Sequence, residues 1–479
     1  MFNPVFFIKN KTVFIPVLLS TVLYWFFAYD IVRTDYTKLI LIYSLLWFGF
    51  FFIWKYAKDN LKLLTVIAVL SRAIFILAIP NLSQDFYRFI WDGRMILEEM
   101  NPYLYTPDSF IKSGTFPVAQ AQELYNGMGS LSASHFTNYP PINQLCFVIA
   151  NLFSGKSILS SVIGLRLIII AADIGTLYFG KKILERLKLP SNRIFWYILN
   201  PFIIIELTGN LHFEGVMIFF FVWSLYLLHS GKWKWAAVVL ACSISVKLIP
   251  LMFLPLFFLW FRKYLKRIII ANKVKQSVYN QEIATSQVPH NDITKLISFY
   301  AIIGFTTILL FVPFFSMEFV TNYSKTVGLW FGNFEFNASI YYLVREIGYA
   351  ITGYNEIEII GKILPIISIL IILGFSFLKK NNSLPNLITS MLLVFTCYLF
   401  LSTTVHPWYI ATLVILCVFT NYKFPLVWSL VAVLSYLAYS NDSNSENLWI
   451  IALEYGIVFS VFIWEVVLKK LSRPKIAIH

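Results

Sequence analysis

Charge is scarce in this 479-residue chain, and so is cysteine. Asp, Glu, Lys and Arg make up 13% of it, where a soluble domain carries about 25%. With 58% hydrophobic residues and a mean hydropathy of +0.72, that shortage excludes a soluble enzyme and a disordered chain. The four cysteines (Cys146, Cys242, Cys397 and Cys417) lie in apolar stretches at no metal-ligand spacing, which excludes a disulfide framework and a zinc site. The alternation of a transmembrane barrel strand, about ten residues long, is also missing: Phe219 to Trp223 and Ile366 to Leu373 do not alternate. No small-residue cleavage site closes the first apolar stretch, 12–30, so it reads as a retained helix rather than a signal peptide.

What the chain does have is repeated apolar blocks of roughly 20 residues, the length that crosses a bilayer core as helix. The reading is an all-α polytopic membrane protein with about 14 (12–14) transmembrane helices. These fall near 12–30, 38–54, 62–80, 160–180, 193–208, 211–229, 234–247, 249–261, 296–314, 358–378, 384–402, 407–421, 424–440 and 448–468. Most of the 38 Lys and Arg then fall on one side with the N-terminus inside. The net charge of +14 therefore marks cytoplasmic loops rather than nucleic-acid binding. Three regions follow. Residues 1–80 form an N-terminal three-helix segment, and 81–159 a long structured outer loop after the third helix, with Pro140 to Leu152 re-entrant or interfacial. Residues 160–479 form a helical bundle whose basic inner loop, 262–295, is a surface helix on anionic lipid or a flexible loop.

Charged groups within such a chain need a reason, because lipid penalises them by roughly 2.5–3.5 kcal/mol each at a helix centre. In a helix, Asp85, Arg88 and Asp92 share one stripe with Trp91 beside it. Two carboxylates and a guanidinium at the membrane boundary suit acid–base work on a polar substrate; they equally suit a helix cap with an aromatic anchor. Two tight turns carry Glu206, Asn210, His212 and Glu214, and Lys247. His212 is a ligand-binding group or a hydrogen-bonded core residue. Lys247 is a phosphate ligand or a snorkelling cation. Arg166 offers a second cation for the same phosphate, or an ion pair with Asp173. Thr403 to Tyr409, with His406, closes the set on the same outer face.

Asp85-Phe86-Tyr87-Arg88-Phe89-Ile90-Trp91-Asp92-Gly93-Arg94, Asn101-Pro102-Tyr103, Tyr139-Pro140-Pro141, Asn210-Leu211-His212-Phe213-Glu214-Gly215, Val246-Lys247-Leu248-Ile249-Pro250 and His406-Pro407-Trp408-Tyr409 occur in that order. The set resembles the GT-C superfamily of integral-membrane glycosyltransferases, nearest to the bacterial polyprenyl-phosphate-mannose-dependent mannosyltransferases. The resemblance implies a GT-C-like fold, a polyprenyl-phosphate-linked sugar as donor, and a glycan, lipid or protein acceptor. It also implies a bacterial cytoplasmic membrane with the active face toward the periplasm or exterior. It makes Asp85 the general base, oriented by Arg88, with Lys247, Arg166 and His406 on the leaving phosphate and His212 and Glu214 on hydroxyls. Trp91, Asp92, Arg94 and Asn210 complete the expected substrate-binding set. Where many such enzymes carry two adjacent acids, this chain has Gln84-Asp85. No cofactor is required by the sequence, and a divalent cation is allowed, with Asp92 a second carboxylate for it. A membrane transporter or flippase is the alternative, although no internal repeat of the kind such proteins show is visible.

Overall fold

A computed structural model describes residues 11–261, 290–332, 334–441, 443 and 445–469. Among them there is no β-strand; a single bridge pairs Phe336 with Thr404. Seven helices are long and apolar enough to cross a membrane. Three lie in the first half: α1 (Lys11–Tyr29), α2 (Tyr36–Ala57) and, after five shorter elements, α8 (Ile158–Arg186). Shorter apolar helices fill the remaining stretches, so the hydropathy blocks at 234–247, 249–261, 407–421 and 424–440 are not single long helices. Prolines account for one of these: Pro250 and Pro255 remove donors from the tight Ile249–Leu256 turns.

The third block, 62–80, is helical only over α3 (Leu61–Ala73). Its chain then unwinds, and the carbonyls of Ile76 and Ala78 turn to the guanidinium of Arg166 instead of to following amides. The 81–159 segment has structure of its own: α4 (Asp85–Leu97), α5 (Pro107–Lys112), α6 (Ala121–Ala133) and α7 (Pro141–Leu152). α4 packs on α6 and α7. The start of α7 is tied to the Lys247 turn, because the amides of Ile142 and Asn143 donate to the Ser245 carbonyl at 2.9 and 3.3 Å.

The element that organises the centre is a broken helix. Pro201–Gly209 and α9 (Glu214–His229) meet at 113° across a short break. Ile204–Gly209 is wound as a π-type turn, and Leu211 sits at φ 62°, a left-handed conformation that costs a branched residue roughly 1–3 kcal/mol. A bend frees carbonyls that lipid cannot satisfy. Arg166, fully buried on α8, takes them: Nε donates to Thr208 O at 2.8 Å and a terminal nitrogen to Gly209 O at 3.0 Å. Beyond it run α10 (Trp233–Ile244), α11 (His290–Phe311), α12 (Met317–Gly332), α13 (Ile340–Thr352), α14 (Ile357–Leu378), α15 (Leu384–Leu401), α16 (Ile410–Val418), α17 (Phe424–Val431) and α18 (Leu448–Ile463). Of the expected inner loop, 262–289 lies outside the described residues, and 290–295 begin α11.

Candidate active site

Asp85 opens α4, where a carboxylate is favoured by the positive end of the helix dipole. It is half-buried, and its carboxylate has no hydrogen-bond or ion-pair partner among the described residues. Its amide donates to Ser83 Oγ at 3.3 Å. The same hydroxyl lies 3.3 Å from Nε2 of His212, in the helix break. On the other side of that ring, Nδ1 is 3.3 Å from Glu206 Oε2, and Glu206 Oε1 accepts from the Tyr436 hydroxyl at 2.8 Å. Close polar contacts thus run from the Asp85 amide through Ser83 and His212 to Glu206 and Tyr436, with His212 and Glu206 at ion-pair distance rather than hydrogen-bonded. Each link except Asp85 is buried.

Aromatic rings set the other wall. The His212 ring lies on Trp408, centroids 3.9 Å apart, and Trp408 stacks on His406 at 4.5 Å and 7°. His406 is held there by backbone pairing, since Val405 N donates to Phe336 O at 2.8 Å and Phe336 N to Thr403 O at 3.1 Å. Burial, then His212, then Lys247 push the His406 imidazole down to about 3, which makes it neutral at physiological pH. Lys247 lies over the Tyr139 ring at 5.2 Å. Burial drives the Tyr139 phenol well above its usual range, with Asp85 the largest of the charges adding to it. Tyr139 therefore joins the Asp85 and Lys247 ends of one neighbourhood.

The expected residues separate into two groups. Asp85, Asn210, His212, Glu214, Lys247 and His406 gather around the break. Asn210 is buried with its Nδ2 unpartnered, its Oδ1 accepting from Leu82 N at 3.4 Å. Lys247 has a protein partner, Glu214 Oε1 at 3.2 Å. The second group is committed to scaffold. Arg88 does not orient Asp85: its Nε donates to Asp92 Oδ1 at 2.7 Å and a terminal nitrogen to the Ser132 and His135 carbonyls. Asp92 is fully buried, its other oxygen accepting from Gln144 at 3.1 Å, so it cannot join Asp85 as a second metal ligand. Among the described residues no three His, Cys, Asp or Glu side chains are placed to hold a metal ion.

Trp91 is fully buried and donates to Met95 Sδ. Arg94 is bound to the Ala119 carbonyl, Gln120, Asn151 and Ser161. Arg166 spends its donors on four carbonyls, and Asp173 pairs instead with Arg72 at 2.8 Å. Close approach explains these commitments, and only the fold supplies it. Sequence reading passed over Ser83 and Tyr436; a serine two residues before an acid and a tyrosine in an apolar run carry no signal of their own.

A family sequence model described as alpha-(1->6)-mannopyranosyltransferase, N-terminal domain (MptA/B), matches residues 16–262, slightly more than half of the chain. The chain belongs to this family. It is a GT-C-type mannosyltransferase family, and the match spans Asp85, the broken helix and Lys247, leaving His406 beyond its end. No curated protein matches the chain, and no solved structure does. Membership of a transferase family favours transfer over transport for the polar cluster in this multi-pass protein.

Proposed function

We propose that the protein moves mannose from a polyprenyl-phosphate donor to an acceptor hydroxyl at the membrane face opposite the cytoplasm. The observation that carries this is the state of Asp85: an ionisable carboxylate, half-buried and unpaired, next to a broken membrane helix lined with polar groups. The family description points to the 6-hydroxyl of a mannopyranose as acceptor. In the reaction, that oxygen attacks C1 of the donor mannose while the bond from C1 to the phosphate oxygen breaks. The hydroxyl proton passes to Asp85, and the bond's electron pair leaves on polyprenyl phosphate. One displacement inverts C1, so a β-linked donor gives an α-linked product. General-base help of this kind contributes roughly 10²–10⁴ in rate.

The remaining residues take roles that fit their surroundings. His212, beside Glu206 and Ser83, exchanges hydrogen bonds with sugar hydroxyls, and Glu214 Oε2 accepts from them. Asn210 Nδ2 offers a further donor. Trp408 and His406 provide a flat stack against which an apolar sugar face can lie. Lys247 holds Glu214 in place. On this reading the 81–159 segment delivers Asp85, and the 160–479 bundle supplies the rest.

The test is incubation of the full-length protein in nanodiscs with undecaprenyl-phosphate-[³H]mannose and, separately, GDP-[³H]mannose, each with an α-mannoside acceptor. Transfer from the lipid-linked donor alone supports the reading. Transfer from GDP-mannose alone places the donor site on the nucleotide side and sinks it.

A further inference from the structure

A leaving phosphate gains charge as its bond breaks, so a site that expels one needs a cation free to meet it. The cations expected for that task are engaged: Arg166 by four carbonyls and Lys247 by Glu214. His406 is neutral. Another cation lies in a segment no motif covers. Arg33 lies in the turn between α1 and α2, half-buried, with its guanidinium carbon 4.8 Å from the centroid of Tyr439. It has no carboxylate partner among the described residues. The acids of its own turn are taken, Asp30 by the Lys38 ammonium and Asp35 by the Lys38 amide.

The surroundings of Arg33 lead to the site by two routes. Asn81, four residues before Asp85, ties down the chain that leads to Arg33 by donating to Phe27 O at 2.7 Å and Ile31 O at 3.0 Å. Tyr439, under the guanidinium, is in ring contact with Phe336 at 5.9 Å, and Phe336 with His406 at 5.2 Å. Tyr439 also touches Tyr436, the residue that donates to Glu206. An arginine lying on an aromatic face keeps its N–H edge for an anion, and it matches a phosphate with two parallel donors. Its place at the ends of two membrane helices is where the headgroup of a long-chain lipid would lie.

We propose that Arg33 holds the phosphate of the lipid-linked donor and stays with it as it leaves. This rests on the polyprenyl-phosphate reading above. The experiment uses full-length wild type, Arg33→Ala, Arg33→Gln and Arg33→Lys in phosphatidylcholine nanodiscs. It measures binding of undecaprenyl phosphate, of undecaprenol and of phosphatidylglycerol, and KM and kcat for undecaprenyl-phosphate-mannose. For Arg33→Ala and Arg33→Gln, affinity for undecaprenyl phosphate should fall about tenfold or more. Affinity for undecaprenol should hold, and KM should rise by a similar factor. Arg33→Lys should recover most of the loss.

Equal weakening toward phosphate and alcohol would make Arg33 a packing residue and overturn the proposal. So would undiminished phosphate binding by Arg33→Ala. If wild type binds phosphatidylglycerol as well as undecaprenyl phosphate, Arg33 reads ordinary headgroups and is not a donor site. A wild type that prefers undecaprenyl phosphate to undecaprenol, with an Arg33→Ala that does the same, sinks only the Arg33 assignment. A wild type without that preference sinks the lipid-phosphate donor and Arg33 together.

Discussion

Asp85 and Asp92 lie two turns apart on one face of α4, and their surroundings could hardly differ more. The first sits in the opening turn, half-buried, its carboxylate without a partner. The second is sealed, with one oxygen on Arg88 and the other on Gln144. Same chemistry, same helix, same spacing: the difference is burial and who stands opposite. An unpaired carboxylate that remains in the open can take a proton from a substrate. A paired one that is sealed holds α4 against the Ser132–His135 chain and α7, and has nothing left to give. The cations repeat the lesson. Arg166 and Arg88 are bound to the fold, whereas Arg33, outside every motif, has only an aromatic ring beneath it.

The comparison can be broken by neutralising each partner in turn. Asp85→Asn should lower mannose transfer by about 10²–10⁴ and leave the thermal unfolding midpoint where it was, measured on the same purified sample. Asp92→Asn should do the reverse. Uncoupling a buried pair leaves Arg88 uncompensated and costs about 3–5 kcal/mol, read as a lower melting temperature, while transfer per folded molecule stays within a few-fold.

A sharper version uses the Glu214–Lys247 pair, where one member is sealed and the other reaches solvent. Lys247→Met strands a buried carboxylate and should cost about 2–3 kcal/mol; adding Glu214→Gln should restore most of that. A double variant no more stable than Lys247→Met alone would show that the pair is not coupled.

The last effect is absent at neutral pH and concerns His406. Its folded value near 3 lies below the ordinary 6.5, so the unfolded chain binds the extra proton. Its contribution to stability is complete above about pH 6.5 and drains away as pH falls toward 3. His406→Gln should therefore flatten the melting-temperature profile between those limits and leave it unchanged at pH 8. A flattening on the alkaline side instead would mean that the imidazole is charged in the folded protein.

Hydropathy was enough to locate the long helices: α1, α2, α8, α14 and α15 lie where apolar blocks of spanning length occur. It overread the centre. Apolar composition does not distinguish one long helix from a helix broken by π winding, a left-handed Leu211 and an arginine that feeds on freed carbonyls. Motif order led to the residues around the break, His212, Glu214 and Lys247, because each comes with local turn chemistry. Pairings were illegible for a simple reason. Arg72 with Asp173, Arg88 with Gln144 through Asp92, and Tyr436 with Glu206 connect residues far apart in the chain, and nothing local to either partner announces the other. Arg33 escaped for the opposite reason: its neighbours in sequence are ordinary, and only the fold lays it on Tyr439.

The most direct test separates holding the donor from using it. Full-length Asp85→Asn, loaded with undecaprenyl-phosphate-[³H]mannose and mixed with acceptor in a single turnover, should bind the donor as tightly as wild type and pass no label to the acceptor. Donor binding that falls in step with transfer would make Asp85 a binding group, and transfer at the wild-type rate would remove it from the reaction altogether.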